Sequence, residues 1–190
     1  MSDRSDQKPD ARAGMADPGE GTRPQGIGPE RLWAPWRIAY FTEPQPEECI
    51  FCTLPLQQED RRTLILARFE GCYVIMNRYP YSNGHVMVVP YEHLGHVCSM
   101  EAGLRSEVLE VAGTCTRVLE EALSAQGFNL GFNLGRAAGA GILDHVHLHV
   151  VPRWVGDTNF MPVLSDTKVL SEGLEDTYDR LLPVFKKHIT

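Results

Sequence analysis

Three histidines at alternate positions, His145, His147 and His149, are separated by Val146 and Leu148 and followed by Val150. No other run in this 190-residue chain concentrates as much reactive chemistry. On an extended segment, side chains alternate between the two faces. The three imidazoles then share one face, roughly 6–7 Å apart, and the three apolar residues share the other. Grouping three polar rings is a poor way to stabilise a sheet, so the pattern points to chemistry. A His-x-His pair on a strand can chelate zinc, with a further ligand completing a catalytic site. Alternatively, one imidazole is a nucleophile and its neighbours orient it or handle protons.

Two neighbouring motifs bear on that choice. The loop Gly135-Arg136-Ala137-Ala138-Gly139-Ala140-Gly141 directly precedes the histidine run. Its glycines let backbone N–H groups approach an anion closely, which would place a phosphate beside the imidazoles. Far upstream, Cys49-Ile50-Phe51-Cys52 offers two thiolates, half of what a structural zinc requires. The chain has no second pair at that spacing, so a four-thiolate site from one chain is not expected. Thioredoxin-like redox chemistry would need the pair at the strand–helix junction of a βαβ unit, which the flanking pattern does not provide.

The elements that position these residues can be read from periodicity. Leu64–Ala67, Cys72–Asn77 and His85–Pro90 are short, apolar and bounded by turn residues, as strands are. Ser82-Asn83-Gly84 is a turn that makes the second and third of them neighbours. Ser99 is placed as an N-cap, with Glu101 in the first turn. Leu104, Val108, Val111, Ala112, Cys115, Val118, Leu119 and Ala122 recur at helical spacing up to a stop at Gly127. Phe128–Leu134 and Asp144–Val151 complete the strands. A last helix over Leu170–His188 is expected to be interrupted at Pro183. Strands in two groups around one long helix predict an α+β fold with a sheet of about five mainly antiparallel strands.

Residues 1–28 are polar and rich in Gly and Pro, which predicts a disordered tail ahead of one domain over 29–190. Trp33-Ala34-Pro35-Trp36 then forms an apolar anchor. The formal charge of −7, with no basic run, argues against nucleic acid as partner. No stretch approaches the ~20 apolar residues that span a bilayer, and the first thirty residues lack the apolar core of a secretory signal. Five sparse cysteines then predict a reduced, cytoplasmic protein.

His145-Val146-His147-Leu148-His149-Val150-Val151-Pro152 resembles the motif of the histidine triad (HIT) family. A second segment, Asn77-Arg78-Tyr79-Pro80-Tyr81-Ser82-Asn83-Gly84-His85-Val86-Met87-Val88, is similar to the family's upstream strand pair. The resemblance runs from about Cys49 to Trp154. Within the family, Trp33-Ala34-Pro35-Trp36-Arg37 and the run from Pro152 to Phe160 look most like the bacterial diadenosine tetraphosphate phosphorylase branch. The resemblance implies an enzyme acting on dinucleoside polyphosphates. His147 would attack the α-phosphorus to give a nucleotidyl-imidazole, and His149 would orient the phosphate. Water or inorganic phosphate would then accept the nucleotidyl group. The unprotonated attacking nitrogen requires the other ring nitrogen to donate to a backbone carbonyl. Asn77 would hold the ribose and Ile50 and Phe51 the base. Gly139 and Gly141, with Arg136 or Lys168, would cradle phosphate. Trp154 to Phe160, including Asp157, Thr158 and Asn159, would line the far side of the substrate. The resemblance also implies a homodimer joining two sheets and no organic cofactor.

Many hydrolase members carry Gly-Gln-Ser or Gly-Gln-Thr before the triad, whereas this chain has Gly139-Ala140-Gly141-Ile142. The departure counts against an adenosine phosphoramidase. The family further implies a structural zinc on Cys49, Cys52, His93 and His145, with His96 a competitor for the third place. Two other readings stand beside the enzyme: a zinc hydrolase whose metal sits on the three histidines, and a non-catalytic nucleotide-binding protein.

Overall fold

The computed structural model describes residues 48–158, 160 and 170–189. Its centre is a five-stranded antiparallel sheet built from β1 (Ile65–Arg68), β2 (Cys72–Met76), β3 (Val86–Pro90), β4 (Gly127–Phe132) and β5 (Leu148–Arg153). The spatial order is β1-β2-β3-β5-β4. The long helix α3 (Ala102–Leu123) joins β3 to β4, and α4 (Leu174–His188) packs beside it. Two short helical turns, α1 (Ile50–Thr53) and α2 (Asp60–Thr63), precede the sheet. This is the expected α+β architecture.

Register decides which residues meet the helices and which meet the site. Cys72 pairs with Pro90, Val74 with Val88 and Met76 with Val86, while Val88 and Val86 face Leu148 and Val150 on the other side. Those residues share one face, against which α3 buries Val108, Val111, Ala112, Cys115, Val118 and Leu119. The opposite parity gives Tyr73, Ile75, Met87, Val89 and His149. This second face is closed by Phe51, whose carbonyl accepts a 2.8 Å hydrogen bond from the Tyr73 hydroxyl. Both faces are therefore covered, and β2 and β3 are buried along their whole length.

The turn into β3 is tightly specified. Gly84 has φ +72°, and a Cβ there would sit 2.3 Å from Leu123 Cδ1. Glycine alone accommodates both the left-handed backbone and the approach to α3. Ser82 Oγ donates to Pro152 O at 2.7 Å, tying this turn to β5.

Several boundaries differ from the sequence expectations. α3 starts at Ala102 with Glu101 as N-cap, not at Ser99. Ser99 belongs to a separate 3-10 turn, Val97–Ser99, capped by the His96 ring, which accepts from Cys98 N. α3 ends at Leu123, where Ser124 adopts φ 53°, ahead of the expected stop at Gly127. α4 begins at Leu174 and runs through Pro183 without interruption. Buried Tyr178 and Leu181 on one side of the proline and Phe185 on the other hold both halves against the core. Most consequential, β5 begins at Leu148, not Asp144, so His145 and His147 precede the ladder and only His149 lies within it. The expected tail over 1–28, the Trp33–Trp36 anchor, Asn159 and Lys168 lie outside the described residues.

Candidate active site and metal centre

His149 is placed by the sheet, opposite Met87 on β3 and Gly131 on β4. His147 follows the same parity, and its ring stands 4.8 Å from that of His149, edge to face. Neither is open to solvent as an exposed row of imidazoles would be: each is 6% exposed, and His145 is fully buried. Phe51 lies against His147 at 4.9 Å between centroids, and Tyr81 stacks on His149 at 5.5 Å.

The hydrogen bonds fix which nitrogen carries each proton. His147 Nδ1 lies 2.9 Å from the carbonyl oxygen of His145. A carbonyl only accepts, so Nδ1 carries the proton and Nε2 keeps its lone pair. Burial lowers the His147 pKa, opposed by that carbonyl bond, and the ring stays neutral at neutral pH. An uncharged imidazole with a free Nε2 is the nucleophilic form.

A second chain of bonds sets His149. The backbone N–H of Tyr81 donates to His85 Nδ1 at 3.0 Å, so His85 carries its proton on Nε2. That proton goes to His149 Nδ1, 2.9 Å away. Neutral His149 therefore bears its own proton on Nε2, which faces the side-chain amide of Asn133 at 3.3 Å. The facing atom is the amide Nδ2, which also donates to the Tyr81 hydroxyl at 3.2 Å; a half-turn of the amide presents its oxygen to the His149 N–H instead. Burial, then the neighbouring His147, pushes the pKa of His149 down to about 4. The pair thus combines a lone pair at His147 Nε2 with an N–H donor at His149 Nε2.

His145 is turned to a different task. Its Nε2 donates to Pro90 O at 2.9 Å, leaving the lone pair of Nδ1 toward the cysteines. Cys49 Sγ and Cys52 Sγ lie 3.4 and 3.5 Å from that nitrogen, and Cys52 Sγ lies 3.3 Å from His93 Nδ1. All four donor atoms fall within 4.8 Å of one another. With metal–ligand lengths of about 2.0–2.3 Å, the edges of a tetrahedral zinc site are roughly 3.3–3.8 Å. The three separations of 3.3–3.5 Å match those edges, and the donor set is of the structural Cys₂His₂ type. His96, with its Nδ1 on Cys98 N, is outside the cluster.

Residues 58–155 match the family model described as HIT domain. The chain belongs to the HIT domain family. It is 35% identical, over 92% of either chain, to the protein named AP-4-A phosphorylase in two strains of Mycobacterium tuberculosis. Among solved structures, it is similar to a histidine triad nucleotide-binding protein of Sulfolobus tokodaii. That match has a TM-score of 0.59 and 25% identity, covering 74% of this chain and 91% of that one. The Zn-bound histidine triad protein of Mycobacterium smegmatis shares the fold, with a TM-score of 0.61 and 24% identity over 74% and 94% of the two chains.

Against this HIT fold, the remaining sequence-named residues divide. The glycine loop lies in sequence between Asn133, whose side chain faces His149, and His145. Within it, Arg136 is exposed and opens a 3-10 turn, and Gly139 takes φ 82°. Phe51 is buried against the triad, and Ile50 is half-buried beside it. Asn77 is engaged locally, accepting from Tyr79 N at 2.8 Å and facing His85 Nδ1 at 3.3 Å. The indole N–H of Trp154 donates to the carbonyl of Ser124 at 2.9 Å, at the C-terminal end of α3. Asp157 is paired with Arg153 and Thr158 with Asp157. Sequence reasoning gave no role to His85, Tyr81 or Asn133. Register parity held the missing signal for His85, which shares a face with Met87 and hence with His149.

Proposed function

We propose that this HIT-family chain is an enzyme that transfers a nucleotidyl group from a dinucleoside polyphosphate of the diadenosine tetraphosphate kind, with His147 as nucleophile. The observation that carries the reading is the His147 tautomer: Nδ1 donates to His145 O and Nε2 is left unprotonated beside the N–H of His149. His147 Nε2 attacks the α-phosphorus, and the bond from phosphorus to the bridging oxygen breaks. The nucleoside polyphosphate departs with that electron pair. His149 Nε2–H stabilises the charge gathering on the phosphoryl and leaving oxygens, exchanging its bond to Asn133 for one to the substrate. An oxygen of inorganic phosphate then attacks the nucleotidyl-imidazole, the P–N bond breaks, and free His147 returns.

Phosphate is preferred to water as acceptor because a full-length relative bears the name AP-4-A phosphorylase. Incubation with diadenosine tetraphosphate checks this: ADP alongside ATP, formed only when inorganic phosphate is present, is the expected outcome. AMP plus ATP in phosphate-free buffer would make the enzyme a hydrolase. The glycine loop at Gly139 and Gly141, with Arg136, receives the phosphates, the Gly139 N–H first releasing its 3.0 Å bond to Arg136 O. Ile50 and Phe51 meet the base, and Asn77 reaches the ribose by releasing one of its local bonds. A zinc hydrolase with its metal on the three histidines fits poorly, because both ring nitrogens of His145 are directed elsewhere, Nε2 to Pro90 O and Nδ1 to the cysteines.

The Cys49, Cys52, His93 and His145 cluster is assigned to structural zinc on donor chemistry and spacing, and its thiolates suit the reducing cytoplasm. A homodimer pairing β4 edges is the assembly we infer. β4 is a sheet edge carrying no charged residue, with Leu130 47% exposed. Sedimentation equilibrium should give twice the chain mass, and a monomer at micromolar concentration would refute the assembly.

A further inference from the structure

The residues that carry the proposed chemistry are not all held by the sheet. The β5 ladder begins at Leu148, paired with Val88 on one side and Phe132 on the other. His147, the nucleophile of the reading above, lies just before that ladder, and its tautomer depends on the carbonyl of His145. Something other than β-pairing must fix the 145–147 backbone to within the few tenths of an ångström that a reacting atom demands.

Each member of the four-donor cluster adjoins a contact to that segment. His93 precedes Leu94, whose carbonyl accepts from Val146 N at 2.6 Å. Gly95 lies with its Cβ position 3.5 Å from Asp144 Cα. Cys49 and Cys52 bracket Phe51, whose ring touches both His145, at 5.5 Å, and His147, at 4.9 Å. His145 offers its ring to the cluster and its carbonyl to the nucleophile. We propose that the cluster is a positioning device for His147: a divalent metal on Cys49, Cys52, His93 and His145 clamps the 145–147 backbone where the sheet does not reach. The metal touches no substrate. It acts through the His145 peptide, the Leu94 carbonyl and the Phe51 ring, so its loss loosens the tautomer and, through Ile50 and Phe51, the base contact as well.

The test uses the zinc-loaded enzyme, its chelated form, and the variants His93→Ala and His93→Cys, read by ¹⁵N NMR of the histidine rings and by steady-state kinetics on diadenosine tetraphosphate. A cysteine at 93 still completes a tetrahedral donor set, since the ligating Nδ1 of histidine lies close to Cβ. Chelation and His93→Ala should turn the His147 signal from a single Nδ1–H tautomer into a mixture. kcat should fall on the order of tenfold to a hundredfold, and KM should rise as well, because Ile50 and Phe51 lie between the two cysteines. Zinc should restore the wild type, and zinc-loaded His93→Cys should keep both the single tautomer and most of kcat. An unchanged His147 tautomer and kcat in the metal-free protein would overturn the proposal. So would a mixed tautomer in His93→Cys at full metal loading, a comparison that stands even where metal-free chains unfold. Failure of the chain to take up zinc removes the clamp altogether. A metal-dependent tautomer without turnover on any dinucleotide would leave the clamp standing and sink the proposed reaction instead.

Discussion

His149 and His145 are four residues apart on one extended segment, yet they are held by different physics. His149 is inside the ladder, its backbone paired on both sides, and its ring tautomer is inherited through His85 from the backbone N–H of Tyr81. His145 is outside the ladder, held by the Cys49 and Cys52 thiols, by the ring of His93 and by the Pro90 carbonyl. His147 stands between the two regimes and takes its tautomer from the second. A sheet delivers a side chain to a chosen face cheaply, but it does not choose a ring nitrogen. That choice needs a carbonyl or a backbone N–H placed by something else, and the two ends of this segment obtain it in unlike ways.

The largest expected effect comes from removing the residue where the regimes meet. His147→Ala should lower turnover roughly a thousandfold or more while nucleotide affinity changes only a few-fold. Retained turnover in that variant, measured by product release from diadenosine tetraphosphate, would end the nucleophile assignment.

The ladder side can be probed with acid. The folded-state pKa of His149 is pushed from 6.5 to about 4, mainly by burial. Between those values the unfolded chain binds this proton and the folded chain does not. Its contribution is complete above about pH 6.5 and is lost as the pH falls through 4, a total of about 3 kcal/mol. Denaturant titrations across this range should therefore show a steeper loss of stability in the wild type than in His149→Gln. Parallel curves would mean that His149 titrates near its ordinary value.

A stability effect of similar size tests how the ladder passes orientation to His149. In Gly84→Ala, the left-handed φ and the approach to Leu123 should cost about 2–4 kcal/mol. Because His85 follows directly, turnover should fall as well, and a midpoint within experimental error of the wild type would contradict this view of the turn.

Much of the fold was legible because it obeys simple periods. The apolar alternation in β2 and β3 and the helical recurrence from Leu104 to Ala122 are local patterns, and each maps onto an element within a few residues. Ser99 and Pro183 misled because capping and proline rules describe an isolated helix. Here the His96 ring captures the turn at Ser99, and a buried face carries α4 past Pro183. The start of β5 misled for a related reason: alternation at His145 and His147 continues beyond the point where partners exist to pair with them. His85 and Asn133 gave no local pattern, since each matters only for what the register sets opposite it.

The sequence by itself determined the chemistry on offer: three imidazoles of one parity, a thiol pair with room for two further ligands, and a glycine loop between a strand and the histidines. Those follow from residue type and spacing, which the backbone period converts directly into faces. The family resemblance already implied His93 and His145 as partners of the cysteines; only the tertiary structure brought their donor atoms within 4.8 Å of one another, left His96 outside, and decided which nitrogen of each ring holds a proton. Such choices depend on contacts such as the 3.4 Å approach of atoms 96 residues apart, and no local pattern encodes them.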